Sequence, residues 1–378
     1  MKKGIVVILI CIILILLSGC TDYRSLDDLT VVAGMAIDVD ENTPDIFQVT
    51  FEIVDMTSAG SDQPMQSKLL TTQGRDITEA VYNAHLKLHR NMYFGNAEIV
   101  VVSQQLAKNQ SLDLIVDPLL RDYEIRDNLY IFVSGEDTAK EIIEPDGQIV
   151  SFFLNENIAD TKFSANSTKP RELYSIYSLL AGHHNSLVLP IIRFSDKENK
   201  EIALDGAAVF SGSKMVGRIE NKDMPYYLLA SANLVGGSFH YAQEDEGGNE
   251  KYTALAVRQS KVKHSYQFDG QKFTFELQID MITATEEFSE GWGKLTGPLI
   301  RQLEKDASAM LDEDVRTFIE TVQSEFSVDI VGFGDHIRDH DPSLWQSIEE
   351  NWPEYVKQAD VSVQCKMLIN DTGLIKSY

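Results

Sequence analysis

Apolar and polar residues alternate most cleanly near residue 277, where Phe273, Phe275, Leu277, Ile279 and Met281 are separated by Thr274, Glu276, Gln278 and Asp280. A period of two sends each set to its own side of a pleated strand, so the segment 272–284 reads as a strand with one buried face. Phe47, Val49, Phe51 and Ile53 repeat the pattern in a strand over 46–54, preceded by one over 30–39. A polar loop is read over 58–68. Across 76–90 the period lengthens: Ile77, Val81, Ala84 and Leu88 share one stripe of a helix. Strands over 97–102 and 129–133 alternate with a short helix capped by Ser103, a helical segment over 112–120 interrupted by Pro118, and a helix over 136–143. The pattern weakens over 146–169, which reads as irregular chain, and Pro170 opens a helix to Leu180.

The second half has a different rhythm. Strands over 203–210 and 214–219 flank Ser211-Gly212-Ser213 as a hairpin, a helix follows over 223–232, and strands over 239–243, 252–263 and 272–284 complete a sheet. Residues 244–251 read as a solvated acidic loop. A long helix over 299–326 carries Leu303, Leu311, Val315, Ile319 and Val322 toward that sheet, and a helix over 343–357 and a strand over 361–369 close the chain. The expected fold is α+β and multi-domain, with two to three domains, because about 360 residues exceed what one core supports. The C-terminal domain is expected to be a mostly antiparallel sheet packed by one long helix. The polar stretch 195–201 marks the division, giving a leader at 1–19, an N-terminal α+β region of one or two domains at 20–198, and a C-terminal α+β domain at 199–378.

The leader is read from its own pattern. Lys2 and Lys3 precede a 14-residue apolar run, Gly4 to Leu17, which ends in Leu17-Ser18-Gly19-Cys20. A membrane-spanning helix needs about 20 apolar residues, whereas this run has the length of a signal-peptide core. Leu-Ser-Gly-Cys is similar to the lipobox of bacterial lipoproteins, which makes Cys20 the expected lipidation site and places the mature chain outside a cytoplasmic membrane. Two acyl chains suffice for stable anchoring at about 0.8 kcal/mol per buried methylene. Thr21 to Asp28 is then a short tether.

Charge narrows the partners. The chain has 33 basic and 58 acidic residues, a formal −25, and loss of Lys2 and Lys3 with the leader makes it −27. Such a chain is repelled by nucleic acid and by anionic headgroups, so nucleic acid is excluded as a partner and the membrane contact is the lipid. Cys11 leaves with the leader and Cys20 carries lipid, so Cys365 is the one remaining thiol, expected to be buried, and no internal disulfide can form.

Candidate chemistry is sparse. Gly236-Gly237-Ser238-Phe239-His240 lacks the last glycine of a nucleophile elbow, and Gly291-x-Gly293 and Gly332-x-Gly334 lack the context of a dinucleotide site. His85 with His89, and His336 with His340, are four apart, but neither pair has the adjacent glutamate and third ligand of a zinc hydrolase, so both read as solvated helix faces. His183-His184 and Glu286-Glu287 read as exposed. Trp345 and Trp352, seven apart, read as a packed aromatic stripe. No catalytic residue, metal ligand or cofactor is assigned, and the chain is read as a non-enzyme.

Taken in order, the blocks resemble the Ger(x)C family of spore germination proteins. They begin with Cys20, Asp22, Leu26 and Val31-Val32-Ala33-Gly34-Met35-Ala36-Ile37-Asp38, and run through Gly74-Arg75, Phe94-Gly95-Asn96, Leu106-Ala107-Lys108 and Arg121-Asp122. They continue in Leu204-Asp205-Gly206-Ala207-Ala208-Val209-Phe210 with Met215-Val216-Gly217, and in Asp329, Gly332-Phe333-Gly334, Pro342, Trp345, Trp352 and Gly373. Thr21 departs from the tryptophan that usually follows the lipidated cysteine. The resemblance implies a lipoprotein C subunit of a nutrient germinant receptor in a sporulating bacterium. It would be anchored on the outer face of the inner spore membrane and act with an A subunit and a permease-like B subunit. The alternative reading is an extracytoplasmic solute-binding lipoprotein that captures the nutrient directly.

Overall fold

The computed structural model describes residues 29–40, 43, 45–55, 65–88, 90–122, 124–144, 149–159, 171–181, 186–244, 250–289 and 295–371, besides Gly4. The leader with Cys11 and Cys20, the tether, His89, His183, His184, Gly291, Gly293, Gly373 and most of the acidic loop lie outside them.

Two sheets organise the described residues. The larger is built from β1 (Leu29–Val39), β2 (Phe47–Val54) and β3 (Ser67–Gly74), then β4 (Asn91–Tyr93) and β5 (Ile99–Val102) behind helix α1 (Ile77–Leu88). Helices α2 (Gln104–Asn109) and α3 (Asp113–Arg121) lead to β6 (Tyr130–Ser134), and α4 (Ala139–Ile143) and α5 (Val150–Ala159) lead to β7 (Arg171–Glu172). Helix α6 (Leu173–Ala181) precedes β8 (Val188–Asp196), β9 (Glu201–Ser211) and β10 (Lys214–Ile219). The strand order is β10-β9-β8-β6-β5-β1-β2-β3, with β4 beside β1 and β7 beside β6.

Its centre, β8-β6-β5-β1, is parallel, and antiparallel pairs flank it on both sides. Central parallel strands are covered on both faces, which explains why Ile99-Val100-Val101-Val102 is an unbroken apolar run with no exposed surface. Helices α1, α2, α3 and α6 bury one face, and α4 and α5 bury the other.

The smaller sheet follows α7 (Met224–Ala230) and has the order β11 (Ser238–Glu244), β12 (Glu250–Phe268), β13 (Phe273–Phe288), β14 (Asp360–Asp371). Its first two pairings are antiparallel and β13-β14 is parallel. The long helix α8 (Gly297–Phe326) packs on this sheet through Leu303, Ala307, Leu311, Val315 and Ile319. The fold class is therefore as expected: α+β, with one long helix on a mostly antiparallel C-terminal sheet. Helices α9 (Phe333–His340), α10 (Pro342–Ile348) and α11 (Trp352–Gln358) close the core.

The structure differs from the sequence reading at five places. Strand β3 runs from the end of the expected loop through unassigned chain, β8 forms in unassigned chain, and helix α5 forms where irregular chain was expected. The helix read over 343–357 is two helices joined by a 3-10 turn at Glu349–Asn351. The hairpin β9-β10, expected in the second sheet, pairs with β8 in the first. Its two faces explain this: Ala208 and Phe210 belong to the first core, while Ala207, Val209 and Ile219 belong to the core of the second sheet.

Candidate functional site

The blocks singled out in the sequence come together as packing knots around buried carboxylates. In the first, Asp38 on β1 accepts hydrogen bonds from the Ala139 and Lys140 amides, 2.7 and 3.1 Å away, at the start of α4. Glu52 on β2 does the same for α5, accepting from the Val150 amide (2.8 Å), the Ser151 amide (2.9 Å) and hydroxyl, and the Ser67 hydroxyl (2.9 Å). A helix start presents unpaired N–H groups and the positive end of its dipole, and an anion there satisfies both. Burial raises both carboxyl pKa values above the usual range, and these hydrogen bonds limit the rise. Gly34 makes the second knot possible, because a Cβ at that position would stand 2.1 Å from the Ser151 hydroxyl.

The hairpin block forms the next knot. Asp205 receives Arg193 at 3.2 Å, Arg218 at 3.1 Å and the Asn221 side-chain amide at 3.0 Å. Gly206 has φ +73°, and a Cβ there would meet the Ile219 carbonyl at 2.0 Å. Gly217 sits under the ring of Phe326 at the end of α8, which ties the hairpin to the long helix.

The last block is one unit. Asp329, buried, accepts from the amides of Val331, Gly332 and Gly334 at 3.2, 2.8 and 2.7 Å, and burial raises its pKa. Gly332 takes φ +95°, and Gly334 lies where a Cβ would press on Trp352 and Trp345 at 3.0 and 3.1 Å. The two indoles meet edge to face at 5.3 Å, and Trp352 also packs on Phe273 and Phe275. The tryptophan stripe is thus packed in the core.

The histidines are dispersed in role. His85 Nδ1 lies 3.4 Å from the Arg90 carbonyl and 3.5 Å from the Met92 amide, where it bridges α1 to β4. The His336 ring is half-buried against His264, Tyr266 and His340, at 6.3, 6.1 and 4.2 Å, so it is not the solvated face expected for it. Burial lowers its pKa, with the two neighbouring histidines adding to the effect. Among the described residues no three His, Cys, Asp or Glu side chains converge as a metal site would require. A groove of about 380 Å³ opens between Ile142, Val150, Phe153 and Phe194, with Lys200 and Glu144 3.9 Å apart across it.

Sequence reading missed the arrangement along the β14 edge. The amides of Cys365, Met367 and Ile369 donate to Asp312 Oδ1, Ser308 Oγ (3.0 Å) and Glu304 Oε1 (2.9 Å) on α8. Four helical residues advance about 6.0 Å and two strand residues about 6.6 Å, so the two rows stay in step. The signal was present as an apolar residue followed by an acceptor at every fourth position: Leu303-Glu304, Ala307-Ser308, Leu311-Asp312. Cys365 is buried on this strand, and burial, reinforced by Asp312, pushes its thiol pKa up.

Comparison with known proteins covers nearly the whole chain. A family described as spore germination protein N-terminal domain matches residues 22–194, and one described as spore germination B3/GerAC like, C-terminal, matches 205–373. Spore germination protein KC of Bacillus subtilis (strain 168) is 22% identical, with 99% of this chain and 97% of that protein covered. Spore germination protein A3 of the same organism is 24% identical over 99% and 98%. The crystal structure of the GerBC protein shares the fold, with a TM-score of 0.60, 16% identity, and coverage of 89% of this chain and 97% of that one.

Proposed function

The chain belongs to the Ger(x)C family of spore germination proteins, and from that premise we propose that it is the lipid-anchored C subunit of a nutrient germinant receptor. It acts in the germination response by contact with the A and B subunits on the outer face of the inner spore membrane. The observation that carries this reading is the family likeness through both halves of the chain, with relatives matched almost end to end. The site supports it from the chemical side. Asp38 and Asp329 of the family-like blocks are spent on joining elements through backbone donors, and Glu52 beside them does the same with backbone and serine hydroxyl donors.

Anchoring rests on Cys20, the proposed acylation site. Replacing it (Cys20→Ala) should release the protein from spore membranes and abolish the response to one nutrient class, as deletion of the gene should. A wild-type nutrient response from unacylated, soluble protein would overturn the proposal. Co-purification of the lipidated protein with the A and B subunits tests the partner assignment directly.

A further inference from the structure

Exposed apolar side chains gather on one helical layer. Eleven large ones are exposed among the described residues, and five of them, Tyr82, Leu86, Leu114, Tyr174 and Tyr177, lie on α1, α3 and α6. These helices pack side by side on the first sheet, α3 between the other two. Single exposed apolar residues are ordinary, but such a grouping marks a contact surface.

The lower part of this layer coincides with the place where the chain enters the fold. Leu29 of β1 pairs with Asn91 of β4, and the end of α1 is held there through His85 and the Met92 amide. The start of α6 reaches the same end of the sheet, since the Leu173 and Tyr174 amides donate to the Leu129 and Asp127 carbonyls just before β6. Residues 34, 99 and 130 are in register across β1, β5 and β6, so these segments all lie on the entry side.

Charge at this end departs from the rest of the molecule. On the helical layer itself Lys87, Arg90, Arg121, Arg126 and Arg171 stand against Asp117, Asp122, Glu124, Asp127 and Glu172, an even balance on that face in a chain of net −25, with Glu98 on the sheet a further acid at the same level. A neutral surface carrying tyrosine and leucine is the composition that settles at a membrane–water boundary, whereas the acidic remainder is repelled from it.

We propose that this end of the first sheet is the surface that rests on the lipid bilayer, with Leu86 and Tyr174 at headgroup depth. The proposal depends on the anchoring reading, because the eight tether residues after Cys20 span at most about 28 Å and deliver the chain to Leu29. Residues 78, 82 and 86 share one stripe of α1, which makes that helix a depth ruler.

The experiment uses the full-length lipidated protein in phosphatidylcholine vesicles, with an environment-sensitive fluorophore on Thr78→Cys, Tyr82→Cys, Leu86→Cys or Tyr174→Cys. Cys365 is buried and does not compete for the label. With brominated phosphatidylcholine, labels at 86 and 174 should lose about half their emission, 82 less and 78 least. Equal quenching along α1, or none while the protein still pellets with vesicles, overturns the proposal and leaves the anchor standing. Protein that does not pellet removes the anchoring reading and this inference with it. A photocrosslinker placed at 86 that, in spore membranes, joins a receptor subunit and not lipid would overturn the proposal and assign the patch to a protein partner.

Discussion

Removing the three acceptors that α8 offers to β14 (Glu304→Ala, Ser308→Ala, Asp312→Ala together) should loosen the C-terminal sheet by a calculable amount. Each lost hydrogen bond costs about 1–1.5 kcal/mol at a partly buried position, or about 4 kcal/mol for three. Alanine's better helix propensity offsets about 1 kcal/mol of this. The remaining 3 kcal/mol is a large share of the roughly 5–15 kcal/mol that holds a domain folded, and corresponds to a fall of about 9 °C in Tm. A second effect is topological. With its amides unpaired, β14 becomes an open edge that can pair with another copy. Differential scanning calorimetry and analytical ultracentrifugation read the two effects separately. The conservative triple variant (Glu304→Gln, Ser308→Thr, Asp312→Asn) keeps three acceptors and should stay monomeric and close to wild type in Tm. An alanine variant that remains monomeric and melts within about 2 °C of wild type would refute the edge role.

Other consequences are equally direct. Gly34→Ala drives a methyl group into Ser151 and breaks its bond to Glu52, so it should cost about 2–4 kcal/mol by chemical denaturation, and adding Ser151→Gly should recover part of that loss; no recovery would show that the strain lies elsewhere. Asp38, Glu52 and Asp329 have folded-state pKa values raised above their ordinary 3.8, 4.5 and 3.8. The unfolded chain therefore releases these protons first as pH rises. Their contribution to stability declines as pH rises from those ordinary values through the raised ones, so replacing each by its amide (Asp38→Asn, Glu52→Gln, Asp329→Asn) should flatten the fall of the denaturation midpoint with rising pH; an unchanged pH dependence would contradict it. Cys365 should resist thiol reagents in the native protein and react on unfolding, which a colorimetric thiol assay measures. Calorimetry with amino acids and sugars should give no heat of binding; saturable millimolar binding would favour nutrient capture.

Elements whose stabilising partners are close in sequence were legible. Ser103 accepts from the Leu106 amide three residues away, and the period-two pattern of β13 and the stripe of α8 follow from one-sided burial. What stayed hidden depends on distant chain. Helix α5 is started by Glu52 and held against Gly34, both about a hundred residues earlier, so its own sequence carries no cap. Strand β8 runs through Pro190 and an unbroken apolar stretch with both faces covered, which erases alternation. Strand β3 is half-exposed at a sheet edge, so its Ser67 and Lys68 read as the end of a polar loop and the rest shows no clean alternation. The packing of Trp345 and Trp352 was anticipated, whereas the acceptor row on α8 was not: its repeat is visible in the helix, but the strand amides it serves leave no mark in their own side chains.

The double allegiance of the β9-β10 hairpin has a mechanical meaning. One pair of strands is hydrogen-bonded to the sheet that begins at the tether, while its other face, with Gly217 against Phe326, is interlocked with the long helix. A displacement imposed at the entry strand would therefore reach the long helix through this one hairpin, whose two faces belong to different cores.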